Sequence, residues 1–160
     1  MLSLKQMNKL ALIEKCITDL DSSIAEMKSS LQSLEEDMQN DTKSSAGDKF
    51  ETSREMMSQE REKLMYRINL QQKQRNMLAH LPTQKKNKAG LGSLIFTDKQ
   101  CFFLSQSLGK RLFQGFEIIF ISVQAPIAQQ LINKEVGDGF QWNGTQYKIC
   151  LLYTSDAADE

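Results

Sequence analysis

The amino-acid sequence predicts an α+β fold, in which a long antiparallel coiled-coil helical hairpin precedes a small β-sheet domain with one short helix. Three observations predict it. Apolar residues recur at heptad spacing in the first quarter of the chain, a polar and basic segment follows Pro82, and short β-type runs separated by turn residues come after it. A chain of 160 residues has room for one or two small domains and is too short for a multi-domain enzyme.

The first helix is predicted from about residue 4 to residue 40. At a rise of 1.5 Å per residue, a helix of this size is roughly 55 Å long and needs a partner for its apolar seam. The seam residues alternate spacings of four and three: Ile13, Ile17, Leu20, Ile24, Met27, Leu31, Leu34 and Met38.

The second helix has a weaker apolar stripe and is predicted to end near His80, before Leu81 and Pro82. Two helices joined by a short connection pack antiparallel, so residues 1–82 form the predicted hairpin, with its tip at about residues 40–51. The stripe and the polar residues in register with it are Met57, Leu64, Ile68, Gln71, Arg75 and Leu78.

A linker is predicted at residues 83–90, because Thr83-Gln84-Lys85-Lys86-Asn87-Lys88-Ala89-Gly90 is polar and basic. The sheet domain is predicted at residues 91–149. Its β-type runs lie at residues 93–97, 101–105 and 116–122, and Asn143-Gly144 indicates a hairpin turn between Phe140 and Tyr147. Pro126 is expected to open a short helix through Ile132, because proline suits the first helical turn.

The last eleven residues, 150–160, are similar to a translated sequencing adaptor of the transposon type. If they derive from one, the natural protein ends a few residues beyond Ile149 in a way this sequence does not record; the alternative is a genuine flexible acidic tail. We therefore expect these residues to be a non-native tail and assign no role to Cys150.

Composition excludes several classes of function. Lys plus Arg equals Asp plus Glu at 20 each, so no overall field favours nucleic acid. The scattered Cys16, Cys101 and Cys150 argue against a disulfide framework or a zinc site. The chain has neither an apolar signal core nor a run long enough to span a membrane, so we expect a cytoplasmic protein without membrane association.

Two carboxylates stand three residues apart at the predicted tip. Asp48 and Glu51 follow Gly47 at the start of the second helix, where they share one face and can reach a metal or a partner's site. The same spacing also suits a capping-box-like helix start with Asp48 as the N-cap. The residues alone leave both interpretations open.

Two stretches resemble motifs of the Gre family of bacterial transcript cleavage factors, the GreA/GreB type. At the tip, Gly47-Asp48-Lys49-Phe50-Glu51 resembles the family's Gly-Asp-x-x-Glu. The resemblance covers residues 4–149 and implies an FKBP-like fold for the sheet domain. The second stretch is similar to the family's Ile-Ser, Ser-Pro-Ile-Gly/Ala and Gly-Asp signature at Ile121, Ser122, Ala125, Pro126, Ile127, Ala128, Gly137 and Asp138.

In this family the hairpin enters the secondary channel of RNA polymerase, and the tip carboxylates help to hold a catalytic metal over a backtracked transcript. The resemblance therefore implies bacterial RNA polymerase and the nascent RNA 3′ end as partners. It also implies Mg²⁺ shared with the polymerase, no tightly bound cofactor, and a monomer that activates the polymerase's nuclease without being a stand-alone enzyme. Asp48 and Glu51 would complete the metal site, and polymerase docking would use Ser122, Pro126 and Ile127.

Basic residues near the tip are candidates for contact with RNA phosphates or with the channel wall, above all Lys43, Lys49 and Arg54. The alternative is a solvated coiled-coil face. Because Thr52, Arg54 and Glu55 depart from the family's pattern, a non-cleaving Gre-like regulator is a second hypothesis. A coiled-coil adaptor protein unrelated to polymerase is the third, although it leaves the stretch around Pro126 unexplained.

Overall fold

The computed structural model describes residues 8–41, 47–82 and 86–154, and the side chains of residues 41 and 47–50 lie outside that description. Two helices, α1 (Lys9–Asp41) and α2 (Gly47–Ala79), come first in the chain. The start of α1 lies later than expected because the Asn8 side chain caps it: the backbone N–H of Ala11 donates to Asn8 Oδ1 at 3.1 Å. No helix in the described ranges is long and apolar enough to cross a bilayer.

The chain forms two compact units, and one of them is the helical unit, Cys16–Asn76. The heptad prediction is confirmed here, since α1 and α2 bury Ile24 and Met27 against Leu64 and Ile68. Leu31 packs against this cluster from the side. Antiparallel pairing follows from two ion pairs that join the helices, Arg61–Glu35 at 3.1 Å and Arg75–Asp21 at 3.0 Å.

The other unit holds the sheet, together with the described residues up to Lys15 and from Met77 onward. Six strands form one sheet in the order β3-β4-β2-β1-β6-β5. β2 and β4 run parallel, and every other neighbouring pair is antiparallel. The strands are β1 (Leu94–Thr97), β2 (Cys101–Ser105), β3 (Gly109–Phe113), β4 (Phe116–Ser122), β5 (Gly139–Trp142) and β6 (Thr145–Tyr153).

The helix of this unit, α3 (Pro126–Leu131), packs on one sheet face. Its Ala128 and Leu131 are fully buried with core residues such as Phe102 and Ile149. The α+β fold class predicted from the sequence is thereby confirmed for the described chain. The edge strand β3 was not predicted, because most of its side chains are exposed and it carries little apolar alternation.

The predicted Asn-Gly hairpin is present between β5 and β6. Asn143 and Gly144 both have positive φ, 50° and 78°, as a two-residue turn of the I′ type requires. The turn pairs Trp142 with Thr145 and Phe140 with Tyr147. The rings of Phe140 and Tyr147 stack with centroids 4.9 Å apart, so the turn and an aromatic pair set the register together.

β6 continues past Ile149, where the sequence analysis placed the end of the domain. Leu151, Leu152 and Tyr153 pair with β1, and Tyr153 is fully buried. The Thr154 hydroxyl accepts the Lys86 N–H at 2.8 Å and donates to the Lys86 carbonyl at 2.7 Å. Residues 150–154 are thus part of the folded unit, because β1 offers them a backbone partner. Their resemblance to an adaptor concerns the gene and stays a prediction.

Candidate functional site

The tip carboxylates lie at the start of α2. Because α2 begins at Gly47, Asp48 lies inside its first turn and Glu51 follows one turn later on the same face. The N-cap interpretation of Asp48 stays a prediction, since its side chain lies outside the described side chains. The side chain of Glu51 is exposed, and that of Asp48 lies outside the described side chains.

The register of the hairpin relates these residues to the two ion pairs. Asp48 is midway along the chain between Glu35 and Arg61, and also midway between Asp21 and Arg75. Both pairs therefore belong to one antiparallel register centred on Asp48. The positive end of the α2 dipole favours a carboxylate in the first turn, where Asp48 lies.

A groove of about 280 Å³ lies between α1 and α2 close to the tip. Arg54 and Arg61 line it from α2, and Glu35, Met38 and Gln39 line it from α1. Arg61 donates through Nε to Glu35 Oε1, whereas no ion pair of Arg54 exists within the described residues. Arg54 is exposed and lies at this groove beside the Arg61–Glu35 pair.

Two further basic residues were predicted as contacts, and one acidic neighbour of the tip was not predicted. Lys43 lies outside the described residues, and the same holds for the side chain of Lys49. Glu35 was missed as a neighbour of the tip. An antiparallel register drawn from the heptads would have placed it opposite Arg61.

Metal binding at the tip depends on which donor groups the side chains there provide. No group of three or more His, Cys, Asp or Glu side chains in the described part of the chain is arranged to hold a metal ion. Asp48 and Glu51 offer oxygen donors, which suit a hard cation such as Mg²⁺, but two carboxylates fill only part of an octahedral shell. The two carboxylates therefore do not form a complete metal site by themselves.

The segment at the end of β4 holds the three predicted docking residues. The Ser122 hydroxyl accepts the Gln124 N–H at 3.2 Å, and the Ser122 carbonyl accepts the Ala125 N–H at 3.0 Å. Pro126, the first residue of α3, is exposed. Ile127 is half-buried and packs against the core. Of the three, Pro126 is the residue most open to a partner, and the other two also support the turn and the core.

The remainder of the segment is held by backbone and carboxylate hydrogen bonds. The N–H of Glu135 donates to Asp138 Oδ2 at 2.9 Å, and Gly137 has a φ of 95°, which favours glycine. Ala89 exchanges backbone hydrogen bonds of 2.8 Å with Asn133 and Lys134. The Gly-Asp of the signature therefore has a structural reason, and the linker is fastened to this segment at Ala89.

Comparison with known proteins gives matches among solved structures alone, since no family model matches the chain and no curated protein matches it. The chain is similar to the GreA factor homolog 1 (Gfh1) of Thermus thermophilus, with 16% identity over 86% of this chain and 94% of that chain, and a TM-score of 0.34. A second solved structure, of the transcription factor Gfh1, is 17% identical over 86% of this chain and 92% of that chain, with a TM-score of 0.34. Gfh1 of Thermus aquaticus is 15% identical over 85% of this chain and 92% of that chain, with a TM-score of 0.32.

Proposed function

We propose that the protein is a Gre-like factor that binds bacterial RNA polymerase in its secondary channel and stimulates the polymerase's intrinsic cleavage of backtracked transcripts. The observation that carries the proposal is the pair Asp48 and Glu51, set one turn apart at the start of α2 between two long helices. The matching signature around Pro126 supports it. The protein would meet this partner in the cytoplasm.

The chemistry asked of the tip is limited. Asp48 and Glu51 would help to hold Mg²⁺ together with groups of the polymerase, and the bound ion would supply activation of water and stabilisation of the leaving oxygen of the phosphodiester. Asp48 and Glu51 supply oxygen donors and two negative charges. The hairpin supplies reach, since a helix of 33 residues is roughly 50 Å long. The protein is in this view an activator without activity of its own.

Arg54 has a positioning role in the proposal. It is exposed, lies at the groove beside the Arg61–Glu35 pair, and stands one turn after Glu51. A guanidinium there can bind a phosphate of the extruded RNA through two hydrogen bonds. Lys43 and Lys49 are proposed as further contacts to RNA or to the polymerase.

A non-cleaving regulator is the second candidate, and the position of Arg54 is the observation that favours it. Its positive charge one turn from Glu51 competes with a cation for the carboxylate. A factor of this kind would occupy the channel without completing the metal site. The two candidates share the partner and differ in chemistry.

Transcript length on stalled, backtracked elongation complexes tests the proposal at fixed Mg²⁺ and salt. Wild-type protein is expected to shorten the RNA from its 3′ end, whereas Asp48→Asn and Glu51→Gln are expected to lose most of this effect. Glu62→Gln is the matched control, since Glu62 is an exposed carboxylate further along α2. Arg54→Ala should weaken cleavage, and a higher concentration of this variant should restore it.

Binding to polymerase is measured alongside by competition with a labelled copy of the protein. Binding without shortening selects the non-cleaving regulator. Equal shortening by wild type and both tip variants would remove the metal-completing role. If the protein neither binds the polymerase nor shortens the transcript, the proposed function is wrong.

A further inference from the structure

A second heptad pattern runs along the face of α2 that points away from its packed seam. Tyr66 is 69% exposed, Met56 66% and Leu70 43%, whereas the inner-seam residues Leu64 and Ile68 are buried. We call this face the outer seam. Its residues alternate spacings of three and four: Met56, Gln59, Lys63, Tyr66, Leu70 and Lys73.

The outer seam has no counterpart on α1. Among the described residues, Leu10 is the one large apolar side chain of α1 that is exposed, at 45%. The solvent-facing side of α1 is otherwise polar, as a helix with a single packed seam requires. Heptad-spaced exposed apolar residues on α2 therefore mark a face suited to another helix.

The charges on the outer seam indicate which kind of helix would bind to it. From Lys63 to Ala79 the sequence contains neither Asp nor Glu, and its charged residues are Lys63, Arg67, Lys73 and Arg75. Arg75 is paired with Asp21 on α1. Lys63 and Lys73 lie in the outer seam itself, and the described residues provide no ion pair for either of them. A helix laid on this seam is favoured when it places carboxylates opposite both lysines.

The α2 helix of a second copy does not supply these carboxylates in either of its two simplest pairings. An antiparallel pair of α2 helices with Tyr66 against Leu70 places Lys63 against Lys73. A parallel pair places each lysine against its equivalent. Both arrangements bring like charges together in the seam, which is destabilising in coiled coils.

We propose that the outer seam docks an acidic amphipathic α-helix of another protein. Apolar residues of that helix cover Tyr66 and Leu70, and two carboxylates lie opposite Lys63 and Lys73, roughly 15 Å apart along the helix axis. The tyrosine supplies most of the buried area and the lysines supply register and selectivity. This surface is separate from the tip carboxylates and stands whether or not they act on a transcript.

The test uses the full chain and two synthetic helical peptides with one leucine seam. One peptide has Glu and the other has Lys at two positions about ten residues apart, matching the lysine spacing. Fluorescence anisotropy is expected to show binding of the Glu peptide and at least tenfold weaker binding of the Lys peptide. The double variant Tyr66→Ser, Leu70→Ser should bind the Glu peptide about tenfold more weakly, or weaker still.

Charge exchange and matched controls complete the design. Lys63→Glu with Lys73→Glu should reverse the preference, so that the Lys peptide binds better. Leu10→Ser and Lys28→Glu, on the exposed face of α1, should leave binding unchanged. Circular dichroism confirms that each variant keeps its helix content.

Three outcomes would overturn the proposal. They are failure of both peptides to bind, equal binding of both, and equal loss in the α1 controls. Sedimentation as a dimer that Tyr66→Ser dissociates would assign the seam to a second copy instead. Because none of these measurements involves polymerase, they leave the proposed function untouched.

Discussion

The guanidinium of Arg75 lies 3.0 Å from the carboxylate of Asp21, although 54 residues separate them in the chain. The second cross-helix pair, Arg61 with Glu35, has the same register. Two hydrogen-bonded pairs at different heights exclude a slip by one heptad, because each slip would break both. The position of the tip along the hairpin thus follows from contacts made far from it.

The first prediction concerns the Arg75–Asp21 pair. Its side chains are 38% and 51% exposed, so solvent screens their attraction. A double-mutant cycle with Arg75→Ala and Asp21→Ala is expected to give a coupling free energy of about 0.2–1 kcal/mol in urea unfolding. The exchanged pair Asp21→Arg, Arg75→Asp should recover most of it. A coupling of zero would mean that apolar packing alone sets the register.

Backbone strain at the β5–β6 turn provides the second prediction. Gly144 has a φ of 78° and open space around its Cα, so Gly144→Ala is strained by conformation and not by contact. We expect it to lower the free energy of unfolding by about 1–2 kcal/mol. Gly90→Ala is the matched control, since Gly90 also has open space and lacks a positive φ. It should be neutral or slightly stabilising, and equal effects at both sites would contradict the strain argument.

The thiols provide the third prediction. Burial raises the pKa of the Cys101 thiol, and Cys16 is buried too, whereas Cys150 is exposed. Ellman's reagent is therefore expected to react quickly with Cys150 in the folded protein and with Cys16 and Cys101 after unfolding. Cys150→Ser should abolish the fast reaction. Rapid modification of Cys101 in that variant would show that β2 opens readily.

The fourth prediction concerns acid stability. The backbone N–H of Lys148 donates to Asp98 Oδ1 at 2.9 Å and lowers the pKa of the carboxyl below its ordinary value of 3.8. As pH falls, the unfolded chain takes up this proton before the folded protein does. The contribution of Asp98 to stability is therefore present above about pH 4 and is lost as pH falls through the folded pKa.

Urea unfolding at pH 7 and pH 3 tests this. Asp98→Asn keeps an acceptor for the Lys148 N–H and removes the charge, so its stability should change less between the two values than that of wild type. Glu62→Gln, on the exposed side of α2, is the control and should follow wild type. Identical pH dependence for wild type and Asp98→Asn would contradict the prediction.

Heptad spacing was enough to predict both helices, because a coiled-coil seam is a local periodic signal. The turn at Asn143-Gly144 was equally local. β3 was missed because its existence depends on pairing with β4, and Leu112 on it is exposed. The predicted end of the domain at Ile149 differs from the end of β6 for the same reason, since backbone pairing with β1 carries the strand further.

At the tip, the spacing of Asp48 and Glu51 could be read from the sequence, and their place at the start of α2 agrees with it. The groove lined by Arg54 and Glu35 could not be predicted from the sequence. It depends on which residues of α1 and α2 lie side by side along the hairpin. The outer seam was overlooked for another reason. Its apolar residues are interrupted by Lys63 and Lys73, which read as an ordinary solvated helix face.

The position of β6 in the sheet has a consequence for how the protein is made. Within the described residues it is the sixth strand along the chain, yet it lies between β1 and β5. On a ribosome, α1 and α2 can pair early through nearby contacts, while β1 waits with one open edge until β6 emerges. Until β6 has emerged, the newborn chain is therefore prone to aggregation, because its helical hairpin is complete while an edge of β1 is still exposed.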